Sequence, residues 1–229
     1  MNYICSMKKS SINILKGMVV FLPFCLFTFL LFSSCSESSD DVEEFEDWQN
    51  TNIKRWNSIY AQAKESVARG DTNWKIYKNW SYEDSVHADN TSYIVVHVLN
   101  EGSGVGCPLY TDSVRVHYRG RLTASASYPN GYEFDSSMGS STATYETAAP
   151  AQFHVSKLTD GFATALQHMH IGDEWEVYVP WTLGYGTKAN SSIPAYSVLV
   201  FTIKLVSYYS AGQSVPDFKA KGNYSWQVE

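Results

Sequence analysis

Three hydrophobic rhythms follow one another along the chain. From Gly17 to Phe32 the apolar positions run almost unbroken, interrupted by Pro23, Cys25 and Thr28. From Phe45 they recur every three or four residues, through Trp48, Asn52, Trp56, Ile59, Ala63 and Val67. That spacing predicts an amphipathic helix, begun by Asp41 with Glu44 three residues on and ended by Gly70. From Ser92 the period falls to two, the mark of half-buried strands.

The alternation predicts strands over Ser92–Leu99, Thr111–Leu122, Tyr132–Asp135, Gln152–Val155, Glu174–Pro180 and Ser197–Ser207. In the second, Val114, Val116 and Tyr118 share one face, and Arg115, His117 and Arg119 the other. One short helix is expected over Gly161–His168, stopped by Gly172. The Ser/Thr/Ala-rich residues 136–150 read as a flexible insertion, and 181–196 as a long loop. Residues 71–91 read as an irregular connection or an edge strand. Several antiparallel strands with one short helix make an α+β fold. The expected organisation is a leader at 1–34, an acidic tether at 35–42 and an N-terminal helical extension at 43–70. A linker at 71–91, a domain at 92–208 and a polar tail at 209–229 complete it.

The first apolar run is sixteen positions long, short of the ~20 residues of a membrane span. With Lys8, Lys9 and Lys16 before it, it reads as a signal peptide. It ends in Leu31-Phe-Ser-Ser-Cys35, which resembles a bacterial lipobox. That resemblance implies cleavage before Cys35, acylation of its thiol, and a lipid anchor in the cell envelope, at the outer membrane. The acidic cluster after Cys35 resembles the surface-export signal of Bacteroidetes lipoproteins, or is a solvated tether. Loss of the leader takes Lys+Arg from 17 to 14 against 23 acids, a net charge of −9. Such a chain repels phosphate backbones, so nucleic acid is not an expected partner. Of four cysteines, the mature domain keeps Cys107 alone, which excludes an internal disulfide and paired-cysteine metal or redox motifs.

Metal chemistry is not expected. His168 and His170 do not share a helix face, and no carboxylate–histidine pattern completes a coordination shell. No nucleophile elbow is present for Ser–His–Asp catalysis. A set of aromatic residues with a single carboxylate recurs instead. The patterns are Val114-Arg-Val-His-Tyr-Arg-Gly-Arg-Leu122, Phe134-Asp-Ser-Ser137, Gly161-Phe162-x-x-Ala165-Leu166, Leu183-Gly-Tyr-Gly186 and Ile193-Pro194…Phe201. They suggest a concave apolar pocket.

In order and spacing these patterns, from about Ser92 to Ser207, resemble the FK506-binding-protein (FKBP) type of peptidyl-prolyl cis-trans isomerase. The resemblance implies a curved antiparallel sheet wrapped around one short helix, acting on proline-containing polypeptides without a cofactor or a metal. It places Phe162 at the pocket floor, Tyr118, Phe134 and Phe201 as aromatic walls, and Leu158 as an aliphatic wall. Asp135 becomes the carboxylate beside the pocket and Tyr185 the hydroxyl at its rim. The Ile193 N–H is expected to meet the substrate carbonyl. Either Phe153 or Ala151 lines the pocket. Thr159 stands where the family usually has a β-branched aliphatic residue. Asp135 could hold Tyr118 or Tyr185, polarise the substrate, or merely cap a turn. The 45–67 stripe is expected to pack on its own domain; a dimer or client-holding helix is the other reading. A non-catalytic chaperone module is the alternative to an enzyme. A sugar-binding surface built on exposed Trp48, Trp56, Trp74, Trp80, Trp181 and Trp226 is a third reading.

Overall fold

The computed structural model describes residues 44–83, 85, 88–140 and 142–217, with the backbone of 220, 221, 225 and 226. The leader, Cys35 and the start of the acidic tether lie outside these residues.

Helix α1 spans Trp48–Ala68. Strands β1 (Trp74–Lys78), β2 (Tyr93–Asn100), β3 (Ser113–Leu122), β4 (Glu133–Ser136) and β5 (Ala151–His154) follow. Helix α2 (Asp160–Leu166), β6 (Glu174–Val179) and β7 (Leu199–Tyr209) complete the domain. The tail forms a two-stranded hairpin of β8 (Ala220–Lys221) and β9 (Ser225–Trp226). Seven strands make one antiparallel sheet in the order β1-β2-β6-β7-β3-β4, with β5 also on β3. The 71–91 linker therefore contributes an edge strand, Trp74 pairing with His97 and Lys78 with Tyr93.

The inner face carries Ile94, Val96, Val116, Trp175, Val177, Val179, Ile203 and Leu205, all buried. Period two along β6 and β7 delivers that face. It closes on α2, whose residues 161–166 are all buried. A Cβ at Gly161 would stand 2.3 Å from Val179 Cγ1, so only glycine allows this close approach of helix and sheet.

The outer face is covered too, against the expectation of half-buried strands. Strand β3 is buried on both sides from Ser113 to Tyr118. Helix α1 covers one part, packing Trp56 and Ala63 on Val95 and Val198 with Trp74, Ile76 and Tyr178 around them. Asn52, fully buried, fastens the helix: its Oδ1 accepts from Val198 N (3.0 Å) and Thr123 Oγ1 (3.1 Å). Trp48 Nε1 donates to Ser197 Oγ at 2.9 Å. The stripe thus packs on its own domain. Two details differ from its sequence reading. Ser66 is buried while Val67 is 44% exposed. Glu44 does not start the helix; its carboxylate accepts from Ser125 Oγ and Ser127 N, and Asp47 is the residue before the first turn. Of the tryptophans read as a sugar-binding surface, Trp48 and Trp56 are buried, Trp74 and Trp181 pack against the α1 cluster, Trp80 is exposed with its ring stacked on Tyr110, and the Trp226 side chain lies outside the described residues.

The 136–150 segment covers another part of the outer face. Met138 and Ala148 are buried, and Tyr145 Oη donates to Glu174 (2.5 Å). The Lys204 ammonium lies 4.4 Å from the Tyr145 ring centre, and His117 sits under that ring at 5.1 Å. It is a packed flap, where the composition suggested a flexible insertion.

Burial lowers the pKa of His117, helped by Lys204 and opposed by Glu146. Burial lowers that of His168, which is stacked 4.0 Å from Tyr77. The unfolded chain therefore takes up protons that the folded chain refuses. This stability is complete above the ordinary value of 6.5 and is lost as pH falls through the folded values. Thermal denaturation should show a lower Tm at about pH 5 than at about pH 7.5. Replacing both residues by Gln should shrink that difference; an undiminished difference would assign the acid sensitivity to other groups.

Candidate active site

Five aromatic side chains meet where β3, β4, β5 and β7 curl over α2. Phe162 enters from the first turn of α2. Its ring lies 5.0 Å from Phe201 and 6.0 Å from Tyr118, both edge-on. Phe134, from β4, stands 5.7 Å from Phe201 at 88°. Phe153, from β5, stands 5.6 Å from Tyr118. Edge-to-face contacts of this kind add about 0.5–1.5 kcal/mol each beyond area burial, and fix the rings in place. Phe162 and Phe201 are buried, whereas Phe134, Phe153 and Leu158 are partly open. Of Phe153 and Ala151, the former joins the ring cluster. Gly120 explains how two rings approach the strand: a Cβ there would meet Phe134 at 2.7 Å and Phe201 at 2.8 Å.

The carboxylate is held at the edge of this cluster. Asp135 Oδ2 accepts from Tyr118 Oη at 2.7 Å, and Oδ1 accepts from the Ser136 N–H at 2.9 Å. The two serines that follow bind the backbone of Tyr118 within β3. Ser137 N donates to Tyr118 O (3.1 Å), and Tyr118 N donates to Ser137 Oγ (2.9 Å). The Phe-Asp-Ser-Ser pattern is therefore a device that fixes Tyr118 and Asp135 in one orientation. Burial, then the hydrogen bond to Asp135, pushes the Tyr118 phenol well above its ordinary range. Burial, then the charge of Asp135, raises that of Tyr185. Both hydroxyls stay protonated donors at neutral pH. Tyr185, 39% exposed, stands at the rim.

One expected role does not hold. The Ile193 N–H donates to Asn190 O at 2.9 Å, and Ile193 O accepts from Asn190 N in return. This tight bridge commits the amide expected to face a substrate carbonyl, while the Ile193 side chain is buried in the core. The Thr159 N–H, by contrast, has no acceptor among the described residues; Thr159 precedes α2 with φ −62 and ψ 152. It lies between Leu158 and the floor residue Phe162. Its place before a helix whose first amides have no intrahelical acceptor could have been read from the sequence; the bridge at Ile193 could not.

The assembly is an apolar, ring-walled recess with a fixed phenol–carboxylate pair and the Thr159 amide at its edge. A recess of this kind suits a flat, uncharged group. The FKBP_C family model, described as FKBP-type peptidyl-prolyl cis-trans isomerase, matches residues 108–206. "Macrophage infectivity potentiator" of Trypanosoma cruzi is 30% identical over 197 residues, 84% of this chain and 85% of that protein. "FKBP-type 22 kDa peptidyl-prolyl cis-trans isomerase" of Escherichia coli (strain K12) is 39% identical over 110 residues, 48% of this chain and 47% of that protein. "Outer membrane protein MIP" of Legionella longbeachae is 35% identical over 115 residues, 50% of this chain and 43% of that protein. The chain thus spans less than half the length of the latter two. It belongs to the FKBP-type peptidyl-prolyl cis-trans isomerase family, and the recess lies in its isomerase domain.

Proposed function

We propose that the chain catalyses cis–trans isomerisation of X–Pro bonds in exported polypeptides, using the recess floored by Phe162. The observation that carries this reading is the convergence of Phe162, Phe201, Phe134 and Tyr118 on one space, with Tyr118 locked to Asp135. Rotation about the X–Pro amide faces a barrier of ~18–20 kcal/mol from resonance. Uncatalysed exchange therefore takes tens to hundreds of seconds. No nucleophile is required: the site need only bind the twisted amide better than either planar form. A twisted amide has lost its charge separation, so an apolar wall of Phe134, Phe162 and Phe201 favours it. A barrier lowered by ~7 kcal/mol corresponds to about 10⁵-fold. In this mechanism the proline ring lies on Phe162, between Tyr118 and Phe201. Leu158, Phe153 and the Ile193 side chain bound the space. The Thr159 N–H holds a substrate carbonyl, and Tyr185 donates at the rim. Asp135 positions Tyr118.

The test is a protease-coupled proline isomerisation assay on three proteins: wild type, Asp135→Ala and Thr159→Pro. Thr159 has the φ that proline requires, and Leu158 (φ −91, ψ 166) has the extended backbone tolerated before it. Thr159→Pro thus removes a donor with little backbone strain. Activity should fall about tenfold or more in each variant, since a lost hydrogen bond is worth about 0.5–1.5 kcal/mol and more when an unpaired group is left. A fully active Thr159→Pro protein would remove that amide from the mechanism. A well-folded, inactive wild type would favour a binding module instead.

Placement in the cell envelope is supported by the relative named an outer membrane protein and by the leader ending at Cys35. The proposed anchor is a lipid on Cys35, at the outer membrane. The chaperone alternative needed the α1 stripe to be exposed, and the burial of Trp48 and Trp56 speaks against it. Homodimerisation stays the less favoured arrangement.

A further inference from the structure

Beside α1, and bounded by the turn at 123–130, the outer face of the sheet is open over a short stretch. An open hollow of about 370 Å³ lies there, lined by Arg55, Ile59, Arg121, Pro129, Glu176 and Val200 among others. It sits on the reverse side of the strands that carry Tyr118 and Phe201, and shares no residue with the isomerase recess. Its size and mixed lining are those of small-molecule sites, which are mostly apolar with a few placed polar groups.

The charges of this hollow do not balance. Glu176 is the acid in its lining, and both its oxygens are engaged: Oε1 with Arg121 Nη2 (3.3 Å) and Oε2 with the Tyr178 hydroxyl (2.5 Å). Arg121 Nε is buried without a hydrogen-bond partner among the described residues. Arg55 donates to the Thr123 hydroxyl at 2.7 Å and lies 5.9 Å from the Trp48 ring centre. It has no carboxylate within ion-pair distance among the described residues. Glu44 and Glu46 line, with Arg55 itself, a second hollow of about 290 Å³, beyond ion-pair distance of it, and Glu44 is held by Ser125 and Ser127. Burial lowers the Arg55 pKa without removing its charge. Two guanidinium groups thus face one satisfied carboxylate across an apolar floor of Ile59, Leu122 and Val200. Guanidinium forks suit carboxylates, which they can hold through paired hydrogen bonds.

We infer that this hollow binds a monocarboxylate with a small apolar body, its carboxylate between Arg55 and Arg121 and its apolar part on Ile59 and Val200. Two sources share that chemistry: a free short-chain acid, and the carboxyl end of a polypeptide with an apolar last residue. The inference does not rest on the isomerase mechanism.

Titration calorimetry on the full chain would use three probes: hexanoate, acetyl-Ala-Leu-Leu with a free carboxylate, and the same peptide as its amide. None contains proline, so the isomerase recess is not their target. Binding should weaken about tenfold in Arg55→Gln and in Arg121→Gln, the worth of one charge-assisted hydrogen bond. It should tighten in Glu176→Gln. Ser58→Trp, which fills the hollow from an exposed helix position and keeps both arginines, should abolish it. The isomerase rate should stay unchanged in Ser58→Trp, which separates failure here from failure of the proposed function. Tighter binding of hexanoate than of the peptide acid would assign the site to free acids; the reverse order, with the amide inert, would assign it to chain ends. Saturable binding that survives Ser58→Trp, equal binding of acid and amide, or no binding at millimolar concentration would overturn the inference.

Discussion

Phe162→Ala should lower kcat/KM for X–Pro isomerisation by about 10²-fold, a loss of about 2.7 kcal/mol of transition-state stabilisation. The floor ring touches Tyr118 and Phe201 edge-on and is only 4% exposed. Its removal leaves a void that water can enter, and water restores the solvation that favours the planar, charge-separated amide. The same substitution will destabilise the fold, since Phe→Ala in a core costs about 3–5 kcal/mol. Phe162→Leu is the control, retaining most of the volume and the apolar surface. The assay should be run well below the Tm of each variant, with circular dichroism confirming the fold. Loss of activity in Ala and partial retention in Leu would support apolar solvation of the twisted amide. Full activity in Phe162→Ala would place the chemistry elsewhere.

Trp56→Ala should produce the largest loss of stability, about 3–5 kcal/mol, seen as a Tm lower by roughly 10 °C for a domain of this size. The side chain is fully buried against Ala63, Val95 and Val198, and its Nε1 donates to Asn90 O at 3.2 Å. The recess should survive, because Trp56 packs in a core cluster separate from the one that holds its rings. Isomerase activity measured at low temperature should therefore stay within a few-fold of wild type. An unchanged Tm would mean that α1 spends its time off the sheet, and would revive the client-holding reading.

Strands were legible where burial follows a single face. Trp175, Val177 and Val179 alternate with polar neighbours, and the observed strand matches that alternation. The order of motifs likewise led to the ring cluster, because those side chains come from short patterns in which each residue has a fixed task. Arg115 and His117 misled for a physical reason. They look like a solvated face, yet are 4% and 5% exposed, covered by chain far away in sequence. Tyr145 lies over His117, and Pro216 O accepts from Arg115. A long-range cover of that kind leaves no periodic trace in the strand it covers. Ile193 failed differently. A side chain can be placed by pattern, but whether its amide is free depends on loop geometry that the residue types around Asn190 do not specify. Trp74–Lys78 stayed ambiguous because an edge strand buries every residue only partly, so neither period stands out.

The tie between Asn52 and Val198 joins residues 146 positions apart. During synthesis, α1 therefore emerges long before its partner. At about 5–20 residues per second, roughly 7 to 30 s pass before Val198 follows it. Until then Trp48 lacks its Ser197 acceptor and Asn52 its Val198 donor, while Trp56 can already reach Asn90 and Val95. The first helix of the chain is thus fastened at one end early and at the other only when the last strand has been made.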